Sequence, residues 1–134
     1  MMTVILPFLF IAASALTPPE DAALGQEFEV RVGQRVTIEG ERLRVTFDHV
    51  AEDSRCPEGV NCIWAGNAKV VLKLGKGRRR VSTMTLNTGV DPRQADYRGY
   101  EVKLVKLDPY PKEGKQISGK DYVATLVVSR RNDE

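Results

Sequence analysis

From Glu27 onward the chain repeats one pattern: apolar and polar residues alternate in short runs separated by glycine, proline and other turn residues. A period of two sends successive side chains to opposite faces, which marks half-buried strands rather than the stripe of a helix. Phe28, Val30 and Val32 alternate with Glu27, Glu29 and Arg31. Past the Gly33-Gln34 turn, Val36 and Ile38 alternate with Arg35, Thr37 and Glu39. Beyond Gly40, Leu43, Val45 and Phe47 define the inner face of a third strand, with Arg42, Arg44, Thr46 and Asp48 outside. Continued alternation puts His49 on the inner face, pointing away from Asp48.

A fourth strand carries Ala68, Val70, Leu72 and Leu74 on one face and turns at Gly75 to Gly77 into a fifth around Val81 to Leu86, forming a hairpin. Residues 87 to 99 read as a polar loop, after which Tyr100, Val102 and Leu104 resume the alternation. Pro109 and Pro111 cannot donate to a ladder and mark the next break. The last strand, Tyr122 to Val128, is apolar on both faces, which predicts a central strand covered on both sides. Together these runs predict an all-β fold, a single antiparallel β-sandwich or small barrel of about seven strands. A length of 134 residues suits one domain with one core.

The opening residues have a different character. Val4 to Leu16 is apolar, Ala13-Ser14-Ala15 has the small-x-small form of a signal-peptidase site, and Pro18 and Pro19 follow. An apolar run this short does not span a bilayer, so residues 1 to 15 are expected to be a secretory signal peptide cleaved after Ala15. Residues 16 to 26 then form a linker, 27 to 130 the β domain and 131 to 134 a frayed polar tail. With no cysteine near the cleavage point to carry a lipid, the expected product is a soluble periplasmic or secreted monomer with no stable membrane anchor.

Formal net charge is +2, which predicts neither nucleic-acid binding nor strong membrane attraction. The cations are nevertheless uneven, since Gly75 to Arg80, GKGRRR, gathers four of them with Lys73 just before. This stretch reads either as a solvated hairpin tip or as a contact for anionic envelope polymers or an acidic partner.

Both cysteines lie in Asp53 to Gly66, DSRCPEGVNCIWAG, together with the single tryptophan. Two cysteines behind an export signal predict a disulfide between Cys56 and Cys62, with Pro57 and Gly59 reversing the chain between them. A ring so small removes about 2 kcal/mol of unfolded-state entropy and stiffens only its own loop. Asp53 is expected to accept backbone N–H bonds within the turn, and Arg55 to pair with a carboxylate across the loop. For Trp64 two roles are open: a cap over the disulfide and core, or an exposed recognition side chain on a stiffened loop.

This stretch resembles a motif of small exported bacterial proteins of uncharacterised function, many of them lipoproteins, in which Asp-Ser-Arg-Cys-Pro is followed by Cys-x-Trp-Ala-Gly and a strand. Tyr100 to Pro111, YEVKLVKLDPYP, resembles a second motif of the same group. The resemblance implies an envelope or secreted β domain with a bridged loop and brings no activity with it. The lipoprotein cysteine of that group has no counterpart here.

Visible parts for chemistry are few. His49 is the sole histidine; with Glu52 or Asp53 it is a weak metal candidate, at a spacing that matches no standard site. Calcium through Asp91, Asp96 or the Asp48/Asp53 group lacks the regular Asp-x-Asp-x-Asp-Gly pattern. No Gly-x-Ser-x-Gly elbow or phosphate-cradling glycine loop is present, and no cofactor is expected. The reading is therefore a non-catalytic binding module of the cell envelope, contacting a protein or polymer through Asp53, Arg55, Trp64 and Tyr110. Alternatives are a secreted inhibitor of a lysozyme or protease, or a metal-binding protein.

Overall fold

The computed structural model describes residues 21–131. The expected signal peptide, residues 16–20 of the expected linker and the last three residues of the expected tail lie outside them.

Among the described residues nine strands form two sheets packed as a β-sandwich. One sheet orders β1 (Asp21–Ala22), β3 (Arg35–Ile38), β4 (Leu43–Asp53), β5 (Ala68–Lys76) and β6 (Ser82–Asn87) side by side. The other orders β2 (Phe28–Arg31), β9 (Val123–Arg130), β8 (Tyr100–Asp108) and β7 (Gln94–Tyr97). All neighbours are antiparallel except β1 and β3. The inward residues of the alternation form one core, with Val30, Ile38, Leu43, Val45, Phe47, Val70, Leu72, Leu74, Leu86, Val102, Leu126 and Val128 fully buried. Removing that much apolar surface from water is what drives the two sheets together.

Several expectations are corrected. Residues 21–26 of the expected linker belong to the fold: β1 pairs with β3, Ala22 is buried, Leu24 packs on the core and the Gly25 N–H donates to the Val128 carbonyl at 2.8 Å. The polar loop at 87 to 99 contains β7, whose Ala95 and Tyr97 turn inward while Gln94 and Asp96 face out. These two strands raise the expected seven to nine. β9 is central in its sheet but not covered on both faces, since Val123 and Val127 are only half-buried beside Arg31 and Lys103 across the ladder. Long cationic side chains shelter such positions with their alkyl stems without excluding water. Nor does the tail begin by fraying, because the Arg131 N–H donates to the Gly99 carbonyl at 2.9 Å and its side chain pairs with Asp96.

β4 shows why His49 is misplaced by simple alternation. The β4–β5 register shifts between Phe47 and His49 and again between Val50 and Glu52. Each bulge adds one residue and flips the phase. After the first, Val50 points inward and His49 outward, on the same side as Asp48, and His49 Nδ1 lies 2.5 Å from Asp48 Oδ2. The second flip restores the original phase, so Asp53 sits opposite the fully buried Ala68 and faces the interior.

Candidate functional site

With the phase restored, β4 ends on Asp53 at the mouth of the disulfide loop, its carboxylate turned inward. There Asp53 Oδ1 accepts Arg55 Nε–H at 2.8 Å and the Arg55 backbone N–H at 3.3 Å. Oδ2 accepts Arg55 Nη2–H at 2.8 Å and the Tyr122 hydroxyl at 2.9 Å. The guanidinium continues outward to a second segment, donating from Nη1 to the Leu107 carbonyl at 2.7 Å and from Nη2 to the Pro109 carbonyl at 3.0 Å. Its carbon lies 5.3 Å from the centre of the Tyr110 ring. A planar five-donor group is the side chain able to hold a carboxylate and two carbonyls at once.

Burial makes ionisation of Asp53 costly, yet the bonds from Arg55 and Tyr122 outweigh that cost and hold its carboxyl below the usual carboxylate range. Burial likewise opposes the Arg55 charge, and Asp53 more than restores it. The Tyr122 hydroxyl, desolvated and bonded to the Asp53 carboxylate, is pushed up to about 12. The three groups form a charged, satisfied network inside a protein wall.

A third bulge, between Leu104 and Lys106, prepares the other half of the contact. It rephases β8 so that Leu107 is buried while Val105 and Lys106 face out, and it brings the Leu107 carbonyl to Arg55. Beyond the cis Asp108–Pro109 bond, the chain runs alongside the disulfide loop. The Glu58 N–H donates to the Pro111 carbonyl at 2.9 Å, and the Glu113 N–H returns to the Glu58 carbonyl at 3.1 Å. Cys56 and Cys62 are bonded, with their Cα atoms 5.9 Å apart. The loop is thus closed by the disulfide and braced by the 109–113 segment.

At its base the loop is locked by small polar contacts. The Ser54 hydroxyl donates to the Asn67 carbonyl at 2.9 Å and accepts the Asn67 N–H at 3.0 Å. Asn67 then spends its amide on Asn87 Oδ1 at 2.9 Å and on the Gly89 N–H at 2.8 Å. Gly66 must be glycine twice over: its φ is +74°, and an added Cβ would lie 1.8 Å from the Ser54 carbonyl oxygen. Gly89 packs on Gly66, where a Cβ would meet the Gly66 carbonyl oxygen at 2.4 Å.

Two residues of the stretch take no part in this scaffold. Ile63 is 92% and Trp64 82% exposed, which overturns the cap over the disulfide and core and leaves the exposed role. Val60 at 40% and Tyr110 at 46% add apolar surface on the same pair of segments. Next to Trp64, Ala65 and Gly66 line an open cleft of ≈ 280 Å³ with Arg55, Val105, Leu107 and Tyr110. Tyr110 also lines a second cleft with Pro109, Lys112 and Ile117.

Of the expected contact residues, Asp53, Arg55 and Tyr110 lie together, but Asp53 and Arg55 are nearly buried and brace the loop from within, whereas Tyr110 is at the surface. Ile63 was missed, although it stands between Cys62 and Trp64 in a loop too short to bury two large side chains. Tyr122 was also missed, and no sequence pattern links it to Asp53, 69 residues away. The weak metal candidates diverge: His49 is held by Asp48, Glu52 pairs with Lys69 at 3.3 Å, and Asp53 serves Arg55 and Tyr122. Among the described residues no group of three or more His, Cys, Asp or Glu side chains is placed to hold a metal ion. Nor is any described helix long and apolar enough to cross a membrane. No family model matches the chain, and no curated protein or solved structure shows significant similarity to it.

Proposed function

We propose that the chain is an exported, non-catalytic binding module whose disulfide loop presents Ile63 and Trp64 to a partner protein of the cell envelope. One observation carries the reading: among the described residues, the two most exposed large apolar side chains sit next to each other on a loop fixed by a disulfide, an arginine fork and a second segment. Exposing them costs hydrophobic free energy that the fold does nothing to recover, and a preformed loop binds without a large ordering cost. Aromatic anchors beside a cleft are the usual centre of a protein contact. The disulfide supports an oxidising compartment, in line with the apolar leader.

The test is native mass spectrometry of untagged protein recovered without reductant from the envelope fraction of its host, wild type beside Trp64→Ser. A companion protein held by the wild type and absent from the variant is expected. Equal retention by both would remove Trp64 from the contact, and an uncleaved, reduced chain would overturn export.

A narrower form is a plug for the active-site cleft of an exported hydrolase, favoured by the braced, protruding character of the loop. Inhibition of a lysozyme or protease by the wild type, lost in Trp64→Ser, is its signature.

A further inference from the structure

The strand pair that carries the disulfide loop at one end carries a cluster of cations at the other. Asp53 opposite Ala68 closes one end of the β4–β5 ladder, and Leu43 opposite Lys76 closes the other. Eleven strand residues separate these poles by roughly 30 Å. At the far pole the Gly77 N–H donates to the Arg42 carbonyl at 3.0 Å, and Arg44 Nη2–H donates to the Gly77 carbonyl at 2.8 Å. These bonds fasten the start of β4 to the turn that bears Arg78, Arg79 and Arg80.

Six cations gather there: Arg42, Arg44, Lys76, Arg78, Arg79 and Arg80. Lys76 is used internally, donating to the Tyr100 hydroxyl at 3.0 Å, and Arg44 is spent on Gly77. Arg42, Arg78, Arg79 and Arg80 are exposed, and none has an ion-pair partner among the described residues. Of the acids on the neighbouring β3–β4 turn, Glu41 is committed to Arg130 at 2.6 Å and to the Tyr100 hydroxyl at 2.6 Å, leaving Glu39. The field of this pole is positive although the whole chain is nearly neutral.

Its shape limits the partner. The arginines lie on the reversal between two strands, a convex tip, and the next residue, Val81, is 60% exposed. A convex set of guanidinium groups beside an exposed apolar side chain fits a plane of phosphates over acyl chains better than a single polymer strand, which a groove would hold. We infer that the tip at residues 77–81, with Arg42, seats the protein reversibly on an anionic phospholipid surface. The contact is peripheral and salt-dependent, a different thing from a membrane anchor, and uses none of the residues assigned to the disulfide loop.

Vesicle flotation with the full mature chain tests this. Binding to pure phosphatidylglycerol vesicles and none to pure phosphatidylcholine is expected at low ionic strength. Raising salt from ~0.02 M to ~0.5 M should release the protein as the screening length falls. Replacing Arg78, Arg79 and Arg80 by Gln should weaken partitioning on the order of 100-fold, about fivefold per arginine, with the melting temperature unchanged. A charge-matched control with Arg31, Lys103 and Lys120 replaced by Gln, all exposed elsewhere, should bind as the wild type does. Equal losses in the two variants would overturn the placement. Binding to long-chain polyphosphate without binding to phosphatidylglycerol vesicles would overturn the lipid surface in favour of a linear polyanion.

Discussion

The carboxylate of Asp53 takes both Nε–H and Nη2–H of Arg55, each at 2.8 Å, from a residue only two positions away. That fork, nearly dry with side chains 12% and 6% exposed, turns the guanidinium so that its remaining donors reach Leu107 and Pro109. Removing either partner should therefore cost more than a surface ion pair. Asp53→Asn leaves a buried cation uncompensated, at about 3 kcal/mol. Arg55→Lys keeps the charge but loses the fork, at about 2 kcal/mol. Both should lower the urea midpoint at unchanged slope, and an unchanged midpoint for Arg55→Lys would reduce the pair to a solvated contact.

The same network sets a pH window at each end. Asp53 titrates lower in the folded chain than the ordinary value of about 3.9, so below that value the unfolded chain binds more protons. Its contribution is complete above about pH 4 and is lost as pH falls through the folded value. Tyr122 is raised to about 12, so on going from pH ~10 to ~12 the unfolded chain loses its proton first and stability falls as pH rises. Tyr122→Phe should flatten the alkaline arm of a stability profile, and Asp53→Asn the acid arm. If Tyr122→Phe leaves the alkaline arm in place, the fall has another source.

Gly66→Ala should open the base of the loop. Its Cβ would meet the Ser54 carbonyl oxygen at 1.8 Å, whereas a Cβ on Gly77, at φ +58°, meets nothing within 4 Å. Both variants pay for a left-handed backbone, about 1 kcal/mol, so the difference between them isolates the collision. Faster amide exchange at Ser54 and Asn67 in Gly66→Ala alone is expected; equal exchange in both would discount the contact.

Trp64 should behave as a side chain in water. Its emission should be red-shifted and fully accessible to acrylamide, and Trp64→Ser should change stability by less than about 0.5 kcal/mol. A blue-shifted signal in dilute monomeric protein would contradict its 82% exposure.

What the sequence by itself determined follows from periodicity and covalent proximity. The positions of Val30, Val45, Phe47, Leu72, Val102 and Leu126 in the core were readable because a strand has only two faces and one must be dry. The β5–β6 hairpin was readable from its glycines, although Gly75 lies within β5 opposite Arg44 and the reversal begins at Gly77, and the Cys56–Cys62 bridge was readable from two thiols with no competing partner. Short, polar β7 and two-residue β1 were not, since each is specified by the neighbour it pairs with rather than by its own residues.

Tertiary structure alone decided the rest. Three bulges, none signalled by glycine or proline, interrupt β4 and β8: the first sends His49 out, the second returns Asp53 to the inward phase that plain alternation gives it, and the third brings Leu107 to Arg55. Alternation reports the average period of a strand and is blind to one inserted residue. Tyr122 meets Asp53, and Arg42 joins the arginine turn, through packing between segments far apart in the chain. Whether Trp64 covers the core or faces water was left open by the sequence, and in the packed structure it is 82% exposed. Exposure is a question of packing, which a string of residue types does not contain.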